Sequence, residues 1–279
     1  MTIPSSTSSV SGLPSASPPA TLPSYATFRA AQPMLAGTTK VFYWNNIENW
    51  ANGVLPGEAG AVADIDILRG SPGIMVDDFT SLTINTLAFS PGAPTLEIAV
   101  QSRLVIDQAV TNGVIELDAG ARLLEPNSGD SYVKLSAASL VEYGAVPRGY
   151  VQFSSVPGTT SSLYISTPAL ATASSPGSDP QSITNFSVGD NIYIEESQTG
   201  PLSATYTPGA SGAGTLWISN GATPVYRFSN FSGNAALNYQ VTETSVVDPL
   251  TGKAGVPAGL FNALGSLLLS PIRNTCEAK

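Results

Sequence analysis

A short repeat constrains this chain more than anything else in it. Four segments align without gaps: Thr95-Leu-Glu-Ile98, Val114-Ile-Glu-Leu117, Tyr132-Val-Lys-Leu135 and Tyr150-Val-Gln-Phe153. Their last residues stand 19, 18 and 18 positions apart. A second series, Arg103-Leu-Val105, Arg122-Leu-Leu124 and Ser139-Leu-Val141, runs between them at spacings of 19 and 17. A unit this short cannot bury its own apolar face, so it must stack on its neighbours.

Within each unit the apolar pattern has period two, the signature of a strand. Stacking the units predicts an inward ladder of Ile98, Leu117, Leu135 and Phe153. It also predicts an outward column of Glu97, Glu116, Lys134 and Gln152. Steps of about six residues pick out Ile98, Leu104 and Val110, then Leu117 and Leu123, then Leu135 and Val141. That suits a coil with three sides. Asn112-Gly113, Ala119-Gly120, Asn127-Ser-Gly129 and Tyr143-Gly144 supply the corners, where positive φ is often needed. A β-sandwich is the rival, but a sandwich has no reason to repeat residue classes in register. The expected fold is therefore an all-β, single-stranded β-solenoid, right-handed, with a C-terminal hairpin region and a short terminal helix.

Composition limits the chemistry. The chain has 279 residues and a net charge of −9, no histidine and one cysteine, Cys276. Histidine-dependent triads and zinc sites are excluded, as are intramolecular disulfides. The acidity gives no electrostatic footprint for nucleic acid. No apolar run approaches the length of a membrane-spanning helix. Met1 to Ala20 lacks the basic and apolar regions of a classical signal peptide.

Four regions are expected. Residues 1–38, rich in Ser and Pro, read as a flexible arm with an apolar end at Tyr25, Phe28, Met34 and Leu35. Residues 39–155 form the solenoid, closed at its start by Trp44 and Trp50. An aromatic sugar-binding shelf of Tyr43, Trp44 and Trp50 is the alternative for the same residues. Residues 156–250 continue the β region with a long loop and a hairpin at Asn220-Gly221. Residues 251–279 carry Leu260, Phe261, Leu264, Leu267 and Leu268 at helical spacing between Pro257 and Pro271, predicting a capping helix.

Two stretches resemble a known family. Asn49-Trp50, Gly53-Val-Leu-Pro-Gly57 and Ala63-Asp-Ile65 look like the opening segment of bacterial secreted, autotransporter-like β-solenoid proteins. Ile183-Thr-Asn-Phe186, Val188-Gly-Asp190 and Ile192-Tyr-Ile194 are similar to a later segment of the same proteins. Leu216-Trp-Ile-Ser-Asn-Gly221 and Phe228-Ser-Asn-Phe-Ser-Gly233 also fit. Such passengers often precede Hint domains in alphaproteobacterial surface proteins. The resemblance covers roughly residues 42–245 and implies export to the cell surface. It brings no catalytic set. With no histidine, a Hint-type self-processing module is not expected, nor is an outer-membrane barrel or a calcium nonapeptide repeat.

Carboxylates are the remaining acid–base candidates. Asp64 and Asp66 share a strand face, and Asp77-Asp78 flank a strand. Asp107, Glu116 and Asp118 are placed to meet Arg103 or Arg122 on one wall, as a carbohydrate-active enzyme would need. Asp77, Asp78, Asp118 and Asp130 offer oxygen ligands for calcium, but no loop has the spacing of a dedicated site. No catalytic or metal-binding residue is therefore assigned, and no cofactor is expected. The leading expectation is a non-catalytic surface scaffold for adhesion, matrix or filament assembly, outside the cell. It would self-associate through edge strands, the N-terminal arm and the C-terminal apolar helix, or bind surface polysaccharide. A polysaccharide lyase or hydrolase and a virion or appendage subunit are the alternatives.

Overall fold

The computed structural model describes residues 25–29, 34–36, 39–53, 55–57, 62–65, 74–76, 81–90, 95–127, 131–144, 149–154, 156, 158–166, 182–195, 202–210, 213–233 and 238–264. Strands dominate this set, with two short 3-10 segments, Ile47–Asn49 and Ala51–Gly53. The chain enters through β1 (Tyr25–Phe28), β2 (Met34–Ala36), β3 (Thr39–Tyr43), β4 (Val62–Ile65), β5 (Ile74–Val76) and β6 (Leu82–Phe89). The repeat follows as β7 (Leu96–Ile98), β8 (Arg103–Thr111), β9 (Val114–Leu117), β10 (Arg122–Glu125), β11 (Tyr132–Leu135), β12 (Leu140–Tyr143) and β13 (Tyr150–Gln152). It continues as β14 (Ser162–Ile165), β15 (Ser182–Phe186) and β16 (Asn191–Glu195). The last strands are β17 (Leu202–Thr207), β18 (Gly214–Asn220), β19 (Thr223–Gly233), β20 (Asn238–Val246) and β21 (Val256–Leu264).

Odd-numbered strands from β3 to β15 stack in parallel in one sheet, and even-numbered strands from β4 to β16 in another. The chain therefore coils between two ladders, as the repeat requires. Leu96, Ile115, Val133, Val151 and Ile183 lie in register on one ladder. Leu104, Leu123, Val141, Leu163 and Ile192 do so on the other. Ile98 pairs with Leu117 and Leu117 with Leu135, so the expected rungs adjoin. All of these side chains belong to one apolar interior. The outward column is also as expected: Glu97 pairs with Glu116, Glu116 with Lys134, and Lys134 with Gln152.

Three sides exist only in the early rungs. β6 and β8 are long and bend at a register shift, where Ile84 faces Ile106 but Thr86 faces Ala109. β4 pairs with the second half of β6 alone, and β10 with the first half of β8 alone. From β10 onward the described strands are short and form two ladders. At the corner between β8 and β9 the absent Cβ of Gly113 leaves room for the Phe89 ring, which a methyl would overlap at 1.9 Å.

The corner leading into the even-numbered ladder is a stack of similar turns. Ser102 N–H donates to the Ala99 carbonyl, Ala121 to Asp118, Ser139 to Ser136 and Asp190 to Ser187, at 3.0–3.2 Å. The third residue of each is left-handed: Gln101 (φ 60°), Gly120 (72°), Ala138 (56°) and Gly189 (101°). A type II turn needs that conformation, and glycine meets it without strain. Each corner also bonds to the next, Gln101 N–H to Ala119 O and Gly120 N–H to Ala137 O.

Both ends are closed. At the start, β1 extends the even-numbered sheet and buries Ala26 and Phe28, so a paired strand lies inside the region expected to be a flexible arm. Period-two burial of two apolar side chains is enough to hold this strand. β2 turns back antiparallel on β3. At the far end β19 continues the odd-numbered sheet in parallel with β15, and β18 and β17 follow it antiparallel. Gly221, at φ 57°, makes the hairpin turn expected at Asn220-Gly221.

The terminal helix does not form over the residues described. Val256–Leu264 is β21, antiparallel to both β16 and β20. Gly259 and Phe261 pair with the inward Ile194 and Ile192, while Leu260 pairs with Tyr193 on the other face. Apolar residues on both faces hide the alternation, so the spacing reads equally as helix. The unpaired edge of β16 decides the outcome, because buried backbone groups must find partners. Leu267, Leu268 and Pro271 lie outside the described residues.

Leu117→Ala should lower stability by about 3 kcal/mol, since it opens a cavity between three rungs. Glu116→Ala on the same strand should change it by less than about 1 kcal/mol. Urea midpoints of the two variants check this.

Candidate functional site

Trp44, Trp50 and Tyr43, expected as a cap or a sugar shelf, are placed as follows. Trp44 is 2% and Trp50 3% exposed. Their rings meet edge to face at 4.7 Å, and Phe28 meets Trp50 and Phe42 at 5.1 and 5.7 Å. The Trp50 indole N–H donates to the Trp44 carbonyl (2.6 Å) and that of Trp44 to the Pro56 carbonyl (3.2 Å). Rings buried in this way offer no face to a sugar. Tyr43 is half-buried and pairs with Met75. At the other end Phe261 is buried, Leu260 is partly exposed, and Leu264 ends β21 opposite Asn238.

The wall expected from Asp107, Glu116, Asp118, Arg103 and Arg122 is not assembled. Glu116 stands on the odd-numbered sheet and forms an ion pair with Lys134. Arg103 and Arg122 open strands of the even-numbered sheet. Asp107 lies at the bend of β8, where its carbonyl accepts from Asn127. Asp64 is on β4 in register with Thr27 and Ala88. Asp66, Asp77, Asp78 and Asp130 lie outside the described residues. Among the described residues no group of three His, Cys, Asp or Glu side chains could hold a metal ion.

Three features emerge that the sequence reading did not single out. The first is a carboxyl cluster on the outer face of the even-numbered sheet. Val105, Leu124, Glu142, Tyr164, Tyr193 and Leu260 follow one another in register there. An outward column would normally be wet, yet Leu124, Glu142 and Tyr164 are at most 1% exposed. The segment after β20 comes back over this face. Its Leu250 carbonyl accepts from Arg103 at 3.5 Å. Its Asp248 closes a tight turn, accepting from Leu250 N–H, Thr251 N–H and the Thr251 hydroxyl at 2.7–3.0 Å.

Glu142 is the unusual member. Among the described residues neither of its buried carboxyl oxygens makes a hydrogen bond of good geometry, nor does the buried Tyr164 hydroxyl, although Ser166 lies close to Glu142. Desolvation pushes the Glu142 pKa up to about 7. The Asp248 and Glu195 charges push the same way, while Ser166 and Arg103 oppose them. Burial also raises Glu195 and Tyr193. Asp248 itself is held below its ordinary value by its turn, whose hydrogen bonds outweigh desolvation.

The second feature is polar structure within the rungs. Glu125 points inward with Tyr143 and accepts from the Ser131 hydroxyl, which lies 3.3 Å from the Tyr143 hydroxyl. Asp190, fully buried, accepts from Ser161 N–H, Ser187 N–H and the Ser187 hydroxyl at 2.9–3.2 Å. Burial raises its pKa to about 6 despite those bonds. Burial also raises Glu97 to about 7, reinforced by the adjacent Asp118 and Glu116 carboxylates.

The third is an open groove of about 480 Å³ along the turn stack, lined by Gln101, Arg103, Gly120, Arg122 and Ala138. Trp217 on β18 is also partly exposed and lies 5.1 Å from the Arg227 guanidinium, a cation–π pair.

No protein-family model, no curated protein and no solved structure matches this chain.

Stability should fall as pH rises from about 5 to 8. Each acid with a raised pKa binds its proton more tightly in the folded state, so its contribution is complete below the unfolded pKa and is lost through the folded one. Glu142→Gln, which stays neutral, should raise the melting temperature at pH 8 and change it little at pH 5. Thermal melts of both proteins across this range check the sign.

Proposed function

We propose that this chain is an exported β-solenoid scaffold of the bacterial cell surface, whose work is geometric rather than catalytic. The single observation that supports this is the continuous parallel stacking of rungs from β3 to β15 and from β4 to β16, over one apolar interior. Such stacking makes a stiff body whose surface columns repeat at each rung. Its outward column is braced sideways: Lys134 pairs with Glu116, the Tyr132 hydroxyl donates to Gln152 (3.0 Å), and the hydroxyls of Tyr150 and Thr184 lie 2.6 Å apart.

The coil is right-handed in this reading, the hand that twisted parallel strands favour. The two segments resembling autotransporter-like passengers are the sequence support for export in this reading. Adhesion, matrix formation or filament assembly would use the free edges of β1, β17 and β20. The export route and the contribution of calcium belong to this proposal as well. Protease treatment of intact producing cells tests it. The chain should be cleaved without lysis, and complete protection until lysis would contradict surface placement.

One observation favours a second reading, a carbohydrate-active enzyme. Glu142, whose pKa burial raises to about 7, stands beside Tyr164, Glu195 and Asp248 but is fully buried, so it would serve as a general acid only once the covering Asp248 segment opens. On that reading the chain generates new reducing or unsaturated ends on acidic polysaccharides, and Glu142→Gln abolishes them. No new ends from the unaltered chain would leave Glu142 a structural acid.

A further inference from the structure

The chain carries 20 acidic and 11 basic residues, so a free arginine has carboxylates in excess to choose from. Among the described residues, however, the single ion pair is Lys134–Glu116. Arg122 is exposed, and no described residue bonds its guanidinium. It stands in register beside Arg103 on the next rung. Strands of one sheet lie about 4.8 Å apart, so two like charges stacked this way repel each other. An anion lying between them would remove that repulsion.

The place they open onto is already shaped. Arg103 is held by the Ser81 hydroxyl (3.2 Å) and the Leu250 carbonyl (3.5 Å), so one guanidinium is fixed before any ligand arrives. The floor is the turn stack, with Gly120 between Gln101 and Ala138. Two of those three residues adopt the left-handed conformation with a side chain present, at φ 60° and 56°. A non-glycine residue there costs about 1 kcal/mol. The nearby Asp118 carboxyl is engaged with Glu97 on the other sheet, so among the described residues no carboxylate lines the groove.

We propose that this corner groove binds a carboxylate-bearing sugar chain, with consecutive uronate carboxylates on Arg103 and Arg122 and the Gln101 amide on a hydroxyl. A guanidinium fork matches a carboxylate in a bidentate fashion. The groove runs along the stack over three rungs, long enough to meet more than one sugar of a chain. An open, shallow groove suits a polymer that passes through it rather than a small molecule that is enclosed. The site does not rest on the surface-scaffold reading, because the same corner would bind the same ligand wherever the chain resides.

Isothermal titration of the full chain with tetragalacturonate, maltotetraose and inorganic phosphate tests the assignment. Tetragalacturonate should bind saturably, more weakly as salt rises, and maltotetraose should not bind. Arg122→Gln should weaken tetragalacturonate at least tenfold without lowering the melting temperature, since Arg122 holds nothing in place among the described residues and its charge opposes that of Arg103. Lys40→Gln, which removes an equal charge from an exposed site on β3, should leave binding unchanged. Absence of saturable binding overturns the proposal. So does equal weakening by Lys40→Gln, or phosphate binding as tightly as the tetrasaccharide.

Discussion

Parallel pairing of one short rung on the next is the constraint from which the rest follows. A four-residue strand buries one or two side chains and has no stability alone. Stacked in register, Ile115 is enclosed by Leu96 and Val133, and Leu123 by Leu104 and Val141. Each rung is then both core and template. Corners must repeat at the same height, and this explains why Gln101 and Ala138 accept a conformation that glycine would hold with less strain. Open ends must be covered, and antiparallel strands do so at both extremes, where a further parallel rung would expose the interior.

The same logic produces the unusual electrostatics. Because sheets pair side chains of like position, Glu97 meets Glu116, and Glu142 shares its face with Glu195. Where solvent reaches the column, Lys134 relieves the charge. Where the returning Asp248 turn lies over the column, burial outweighs the opposing Ser166 and Arg103 groups, and the carboxyl holds its proton more tightly instead. One strand position thus yields a salt bridge on one wall and a neutral acid on the other.

The repeat was legible because its signal is local and recurs. Both ladders, the inward Ile98, Leu117 and Leu135, the outward Glu97 through Gln152, and the Asn220-Gly221 turn could be read from spacing alone. What the sequence hid depends on contacts between distant segments. Glu142 looks like an ordinary outward residue until Asp248, more than a hundred positions later, comes back over it. Leu260 and Phe261 look helical because their strand is covered on both faces. Arg103 and Arg122 were visible, but of their carboxylate neighbours in sequence Glu116 stands on the opposite sheet and Asp118, at the corner, turns to Glu97 there, so the groove became apparent only from the coil's corner. Trp44 and Trp50 invited two readings, and burial leaves room for neither ring to meet a sugar.

Stacking itself can be measured in solution through dipolar broadening between spin labels. With Cys276 replaced by serine, labels would be attached to cysteines introduced at Glu97 and at Glu116, Lys134 or Gln152 in turn. Separation should grow by about 4.8 Å with each rung, reaching about 14 Å for the pair 97 and 152. A pair 97 and 134 as far apart as the pair 97 and 152, or no broadening in either, would contradict the stacked coil.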